Sequence, residues 1–358
     1  MAYTTIDDPS AHFHTRLYTA TGNAISVTNN ANAGNFQPDW IWLKSRNNAT
    51  NHNAFDSSRG QTKRLYPNLT DQEDTVGTFA LNSNGFSIGG SGSSGIGDIN
   101  VANKTMVAWQ WKANGGTTSS NTSGSVTSTV QANTTAGISI VTWTAANGAY
   151  TIGHGLGTTP AMVITKDRDT SERNWWTWHQ AFGDPASAGG YVALNTTSAK
   201  ATAANSIWGT QGLSSTLFGF DASTSQNDAH VGYFFAEKKG YSKFGSYIGN
   251  GSSDGTFVYT GFKPAWLMVK RSDGSNDWVI FDNKRTPSNV IRKYLYSNSS
   301  TQEDSASAGF SNMVDFVSNG FKLRNTFNNS NGSGVSIIYM AFAEHPFVSS
   351  EGVPVTAR

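Results

Sequence analysis

The chain repeats itself, and this constrains its fold more than any other feature of the sequence. The stretch FQPDWIWLKSRNNATNHNAFDSSR at 36–59 recurs as FKPAWLMVKRSDGSNDWVIFDNKR at 262–285, with Phe, Pro, Trp, Lys and the group FDxxR at an offset of 226 residues. The offset becomes 230 where Glu73-Asp74 meets Glu303-Asp304, and 235 where SNGF recurs at 83–86 and 318–321. Small insertions of this kind collect in loops. The two stretches therefore predict the same succession of strands.

A third, weaker copy lies between these two. TTPAMVITKDRDTSERNWWTWHQ at 158–180 keeps Pro160 and Lys166 of the pattern, and YFFAEK at 233–238 resembles YMAFAEH at 339–345. The copies are 104 to 122 residues apart, which is too long for a solenoid unit and typical of a domain. The sequence therefore predicts three related domains at 1–115, 116–243 and 244–358.

The pattern within each copy indicates β-structure. In PDWIWLK at 38–44, Trp40 and Trp42 share one strand face and Ile41 and Leu43 the other, as expected of a strand buried on both sides. Turn clusters such as NSNGF and DGSND separate the strand-like runs, and a short helix is predicted only within 301–310. We expect an all-β fold of three related β-sandwich or jelly-roll domains in tandem, joined by Gly/Ser/Thr-rich linkers.

The stretch most typical of a linker is GTTSSNTSGSVTSTVQANTT at 116–135. It is small, polar and uncharged, which predicts either a flexible strap or an extended arm lying along the protein surface. The ending VSSEGVPVTAR at 348–358 has the same character and predicts an extended C-terminal tail.

Charge and composition exclude several classes of partner. Lys plus Arg number 25 and Asp plus Glu 24, with no block of like charge, so we expect neither a nucleic-acid nor an anionic-membrane partner. Cysteine is absent, which excludes disulfides and thiolate metal sites. Neither a signal-peptide pattern nor a membrane-spanning apolar run is visible, so we expect the chain to be made in a cytoplasm and not exported by the usual route.

Two repeated ion pairs are the first candidate site. Asp56 and Arg59 recur as Asp282 and Arg285, in each case directly after a buried aromatic residue. Such a pair can present a carboxylate and a guanidinium to a ligand, or it can fix the end of a strand through charge-assisted hydrogen bonds. The middle copy carries His179 at the corresponding place, so one domain lacks the pair.

The tryptophans are the second candidate site. In RNWWTWHQ at 173–180, Trp176 and Trp178 share one strand face, and Trp175 lies on the other with only Thr177 as its neighbour there. This makes Trp175 the best candidate for an exposed platform on which a sugar ring could stack, with Trp278 as its aligned counterpart. Packing in the core is the alternative for both.

The remaining polar motifs nominate no catalytic, metal or cofactor-binding residues. His12 and His14 share a strand face but lack a third ligand, so we expect a pair on the surface. The sequence contains no nucleophile elbow and no HExxH, and its few glutamates suggest no general acid and base pair. We therefore expect a protein without cofactors that is not an enzyme.

Several of these motifs together resemble a known class of proteins. The combination FxPxW(x)3K, FDxxR and SNGF, with SNTSGSVTSTVQANTTAGISIVTWT at 120–144 and IIYMAFAEHPFVSSEGVPVTAR at 337–358, is similar to repeat-containing structural proteins of tailed bacteriophages, especially marine and cyanobacterial ones. The similarity covers nearly the whole chain, and the middle copy departs from it most. It implies a virion component, made in the host cytoplasm, with concanavalin-like β-sandwich repeats that often bind carbohydrate. It carries over no catalytic residues.

Three functions from different classes follow. The first is a tail-associated protein of a fibre, appendage or baseplate, which contacts other virion proteins and a host surface polysaccharide through non-catalytic modules and forms a possible homo-oligomer. The second is a capsid decoration or cement protein bound to the shell. The third is a polysaccharide-degrading enzyme, which would need two carboxylates facing each other across a groove, about 5 to 10 Å apart.

Overall fold

The computed structural model describes residues 2–29, 35–186, 189–202, 207–221, 227–305 and 312–355. Within them the regular structure consists of antiparallel β-strands and two short 3-10 turns, Pro9–Ala11 and Gln180–Phe182. The predicted all-β, sandwich-type fold is confirmed. The helix predicted within 301–310 is not seen in its described part, where Asp304–Ser305 is a strand, and its remaining residues lie outside the described ones.

The strands form three groups along the chain, which we call the first, second and third lobes. The first lobe has β1 (Phe13–Thr19), β2 (Ile25–Val27), β3 (Trp40–Ser45), β4 (Asn53–Asp56), β5 (Lys63–Leu65), β6 (Asp74–Thr75), β7 (Phe79–Leu81), β8 (Phe86–Ile88) and β9 (Thr105–Trp111). The second has β10 (Ser119–Asn121), β11 (Ser128–Asn133), β12 (Ile138–Thr144), β13 (Ala149–Gly153), β14 (Met162–Asp167), β15 (Trp176–His179), β16 (Val192–Ala193), β17 (Leu217–Asp221) and β18 (Ala229–Phe235). The third has β19 (Ser242–Ile248), β20 (Phe257–Tyr259), β21 (Phe262–Arg271), β22 (Trp278–Asp282), β23 (Lys293–Tyr296), β24 (Asp304–Ser305), β25 (Val314–Val317), β26 (Gly320–Leu323) and β27 (Ser336–Pro346).

Each lobe pairs one large sheet with one small sheet. The large sheets have the strand orders β1-β9-β3-β4-β5-β6, β10-β11-β12-β18-β14-β15-β16 and β19-β27-β21-β22-β23-β24. The small sheets are β2-β8-β7, β13-β17 and β20-β26-β25. Among the described residues, every named strand pairs within its own lobe. The ladders also correspond, since Trp40 lies opposite Trp111 and Asp56, and Trp266 lies opposite Phe342 and Asp282.

Each small sheet covers the outer face of its large sheet and encloses a local core. In the first lobe, Ile41, Leu43 and Phe55 of the large sheet pack with Phe79 and Phe86 of the small one. The second and third lobes have equivalent cores of their own. The alternation of apolar residues places one side of each large sheet in such a core. The other side of the sheet must then be covered by something else.

The three lobes cover each other. The inner faces of the large sheets meet in a single cluster, which we call the central core, and it contains residues of all three lobes: Trp40, Trp42, Trp109 and Trp111 from the first, Ile140, Met162, Tyr233 and Phe235 from the second, and Trp266, Met268, Met340 and Phe342 from the third. This explains why β3 is buried at every position. The lobes thus share much of the apolar surface that stabilises them.

The stretch predicted as a linker is part of a sheet. Residues 116–135 include β10 and β11, and β11 pairs with β12 in the register Thr129↔Thr142 to Asn133↔Ile138. The alternative of a flexible strap is therefore wrong, because the backbone of this stretch is held in the ladder of the second lobe. The C-terminal stretch folds back on itself through the bridge Val348↔Pro354, and Ser350 bonds to Asp7.

Candidate functional site at the junctions between lobes

The residues nominated by the sequence lie where one lobe meets the next. Trp175 and Trp278 each have 1% of their surface exposed. Trp175 Nε1 donates to the carbonyl of Tyr66 in the first lobe, and Trp278 Nε1 donates to that of Ala193 in the second, both at 2.9 Å. The expected exposure of Trp175 is wrong, because the face left open by its own strand is covered by the neighbouring lobe.

The third junction uses a histidine at the same place. His52 lies 226 residues before Trp278, and its Nε2 donates to the carbonyl of Tyr296 in the third lobe at 2.9 Å. Its Nδ1 accepts a hydrogen bond from Trp42 Nε1, which fixes the tautomer needed for that donation. Each lobe therefore inserts one aromatic donor into the lobe that precedes it in cyclic order.

The two Asp–Arg pairs fix strand ends at these junctions. Asp56 accepts bonds from the backbone of Ser58 and Arg59 and from Arg59 Nε, and both charged side chains are fully buried. Asp282 and Arg285 repeat this arrangement in the third lobe. Of the two roles considered for these pairs, their geometry therefore fits the structural one, in which the pair fixes the end of a strand.

Each buried carboxylate also accepts a hydrogen bond from another lobe. Tyr233 of the second lobe donates its hydroxyl to Asp56 Oδ2 at 2.7 Å. Trp109 of the first lobe donates Nε1 to Asp282 Oδ2 at 3.0 Å. Because a charged acceptor strengthens a hydrogen bond, these contacts couple the strand end of one lobe to the central core of another.

Two glutamates complete the charge pairing between lobes. Glu73 accepts from Arg168 of the second lobe at 2.8 and 2.9 Å and from Arg59 at 2.8 Å. Glu303 accepts from Arg46 of the first lobe at 2.9 and 3.0 Å. Burial opposes ionisation of both glutamates, but the neighbouring arginines outweigh it and hold each pKa below its usual value. The repeated Glu-Asp motif was visible in the sequence, whereas its arginine partners were not.

The junction between the second and third lobes has no glutamate–arginine pair of this kind among its described residues. His179, in the place of the aspartates, is fully buried and donates Nε2 to the carbonyl of Tyr339 at 3.1 Å. Burial lowers the pKa of His179 to about 4. Gln180 follows it and donates to the carbonyl of Phe244 at 2.6 Å. Neutral hydrogen bonds thus replace charges at this junction.

Acidification is expected to destabilise the fold through its buried histidines. Burial lowers the pKa of His154 and His179 to about 4. The unfolded chain therefore binds more protons than the folded one between pH 6.5 and 4, and stability must fall as the pH falls through this range. We expect a loss on the order of 1 kcal/mol or more per histidine. Urea titrations at pH 7 and pH 4.5 measure it, and H179Q should lose less stability between these pH values than the wild type does.

Three buried lysines occupy corresponding places in the lobes. Lys44, Lys166 and Lys270 are at most 1% exposed, and each ammonium donates to the carbonyl of the next residue. Lys166 and Lys270 also donate to carbonyls of the preceding lobe, those of Thr70 and Thr197. Burial lowers the pKa of all three lysines to about 8.

Raising the pH from 8 to 9.5 is expected to stabilise the protein. The folded lysines lose their protons near pH 8 while the unfolded ones keep them, so the unfolded state binds more protons in this window and the free energy of unfolding rises. We expect a gain on the order of 1 kcal/mol or more per lysine, measured by urea titration. The variant K270M should show a smaller rise, and K239M, at an exposed lysine, should match the wild type. Equal slopes for all three proteins would contradict this assignment.

A crevice of about 200 Å³ opens at the junction between the third and first lobes. It is lined by Phe13, His14 and Thr15 of β1 and by Asn283 and Lys284 of the third lobe, and its lining includes three acidic residues: Asp7, Asp8 and Glu344. His14 is 9% exposed, so the expected surface location is wrong for this histidine. Burial lowers its pKa to about 4, which leaves the crevice with a neutral imidazole at neutral pH.

The arrangement can hold lobes together, and its buried Asp and Glu carboxylates are paired with arginines of the protein. Among the described residues no group of three or more His, Cys, Asp or Glu side chains is placed to hold a metal ion. The described part of the chain also contains no helix with the length and apolar character needed to cross a membrane. The junction carboxylates are bonded to arginines, so their position is fixed by the fold.

Comparison with known proteins places the chain in a family. No curated protein matches it. Residues 8–346 match the family described as "Domain of unknown function (DUF7483)", and the match runs through the large sheets of all three lobes. Since this covers most of the 358 residues, the chain belongs to the DUF7483 family.

Proposed function

We propose that the protein is a non-catalytic structural component of a bacteriophage virion, associated with the tail. The observation that carries the proposal is the central core, through which three lobes join in cyclic order by corresponding contacts. A body built in this way transmits force between lobes, because no lobe can move without exposing apolar surface of the others. The resemblance of the repeated motifs to structural proteins of tailed phages supports the same role.

Host polysaccharide is the proposed external ligand, bound by residues other than those first nominated. Trp175 and Trp278 are buried, so neither can stack on a sugar. Phe257 and Tyr259 are 48% and 53% exposed and stand two residues apart on β20, an edge strand of the third lobe. Residues spaced by two share a strand face, and exposed aromatic rings suit a sugar face. Adsorption of the purified protein to host cells should weaken in F257A and Y259A.

A capsid decoration protein is the second candidate. The cyclic contacts of the three lobes favour it, because such a body presents three comparable sides to neighbours that are themselves arranged in threes. The number of copies of the protein in purified virions distinguishes the two roles. Tens of copies per particle, counted on a stained gel, support the tail, hundreds support the shell, and absence from the particle contradicts both.

A further inference from the structure

Three strands hold the same place in the three large sheets. β1, β12 and β19 each pair with the last strand of their lobe, β9, β18 and β27. In these ladders Thr15 lies opposite Trp109 and Ile140 opposite Tyr233, and these partners face Trp42 and Ile164 in turn. Thr15 of the first lobe therefore corresponds to Ile140 of the second.

Within the described part of the chain, only the second lobe continues its sheet beyond this place. There β11 pairs with the outer edge of β12, and Gln131 lies opposite Ile140. In the first lobe β1 is the last strand of its sheet. The bonds from Ala20 to Lys104 and from Lys112 to His12 show that the even-numbered residues point their backbone groups at β9. The backbone groups of Phe13, Thr15 and Leu17 consequently point to the open edge.

The side chain of Gln131 shows what the extra strand does at a junction. It is fully buried, and its Nε2 donates to the hydroxyls of Ser57 and Ser58 in the first lobe at 2.9 and 2.8 Å. These serines directly follow Asp56. The amide of Gln131 thus joins the second lobe to the first through buried hydrogen bonds.

The corresponding place at the junction between the third and first lobes is the crevice. Asn283 and Lys284 follow Asp282 as the two serines follow Asp56, and they face β1 across the cavity. A further cavity of about 310 Å³ continues along β1 from His14 to Leu17, again beside Lys284. The open edge of β1 is therefore bordered by space along much of its length.

Two buried polar groups in this crevice are unpaired. Asn283 is 8% exposed and Thr15 is 5% exposed, and among the described residues neither Asn283 Oδ1 nor Thr15 Oγ1 has a hydrogen-bond partner. Buried polar groups in folded proteins are nearly always paired. Gln180, which takes the corresponding place at the remaining junction, is paired with Phe244. The unpaired atoms lie where a residue equivalent to Gln131 would place its amide.

We propose that the outer edge of β1 and this crevice bind an extended segment of a partner polypeptide. The segment adds to the first lobe as an antiparallel strand, as β11 adds to β12, and directs a Gln or Asn side chain opposite Thr15 towards Asn283. Unpaired strand edges are known templates for such addition. The partner is a chain with small polar residues, since β11 itself is STVQAN. The inference goes beyond the proposed virion role and does not depend on it.

The test uses the full chain and a synthetic peptide with the sequence of residues 126–135, VTSTVQANTT. We expect saturable binding by fluorescence anisotropy, together with slower amide hydrogen exchange at Thr15 and Leu17. A peptide carrying Q131A should bind about tenfold more weakly, which is the loss expected for a hydrogen bond to a buried group. A scrambled peptide should not slow exchange at β1.

Two matched variants separate binding from folding. T15V removes the unpaired hydroxyl in the crevice, and T177V removes a comparably buried, unpaired hydroxyl on β15, in the large sheet of the second lobe. Both should fold with wild-type thermal midpoints or higher, because an unsatisfied buried hydroxyl is lost. Only T15V should weaken peptide binding, by about tenfold. The proposal is overturned if the peptide does not bind the wild type, or if T15V and T177V bind it equally. It is also overturned if N-acetylglucosamine, and not the peptide, slows amide hydrogen exchange at β1.

Discussion

Replacing Trp40 with alanine is expected to lower the free energy of unfolding by about 3–5 kcal/mol, the usual cost of removing a large buried aromatic side chain. Trp40 is 2% exposed and stacks between Trp111 of its own lobe and Tyr233 of the second, with ring centroids 4.3 and 4.4 Å apart. Both contacts disappear in W40A, and the cavity lies in the core that all three lobes share. Urea unfolding, followed by far-ultraviolet circular dichroism, measures the loss.

The shape of the transition is as informative as its midpoint. Because the lobes share the central core, we expect one transition, with dichroism and tryptophan fluorescence changing together in both wild type and W40A. W176A is the matched control, since Trp176 is only partly buried and packs in the outer core of the second lobe. W176A should lower the free energy of unfolding by less than W40A does. Two separate transitions in W40A would show instead that the lobes fold independently.

Replacing Asp56 with alanine is expected to cost about 3–5 kcal/mol, because it leaves the buried guanidinium of Arg59 without its nearest counter-charge. Both side chains of the pair are fully buried. The change also removes the acceptor for the hydroxyl of Tyr233. Glu73 remains beside Arg59 and limits the loss.

Three further variants identify the origin of that loss. Y233F removes only the hydroxyl and should cost about 1 kcal/mol. D56A combined with R59M should be more stable than D56A alone, since no buried charge is left unpaired. D282A should cost about as much as D56A, because Asp282 and Arg285 are equally buried. A loss below 1 kcal/mol for D56A would mean that water reaches the pair.

Local patterns predicted those strands whose apolar residues follow a clear pattern. The apolar residues on both faces of β3 correctly indicate burial on two sides, since one face meets the small sheet and the other the central core. The repeated positions of Asp56 and Asp282 also located the strand ends correctly. These features depend on neighbours in sequence, which periodicity reports directly.

Contacts between lobes could not be predicted in the same way. Trp175 has few apolar neighbours on its own strand face, and it is buried because it lies in the central core, where its Nε1 also donates to the carbonyl of Tyr66 in the first lobe. The strand β11 lacks apolar alternation because its inward residue, Gln131, serves a junction by hydrogen bonding. The lysines at 44, 166 and 270 marked the alignment, but a buried ammonium carries no signature in a sequence.

The joining of three corresponding lobes in a single polypeptide has a consequence for how such a protein can change. In a trimer of identical subunits every mutation appears three times, so the three contacts between subunits must remain alike. Here one substitution alters one side only, which is how His179 can replace an aspartate at a single place and how, among the described residues, one large sheet has the additional strands β10 and β11. The molecule can therefore offer three different neighbours three different surfaces while keeping the outline of a trimer.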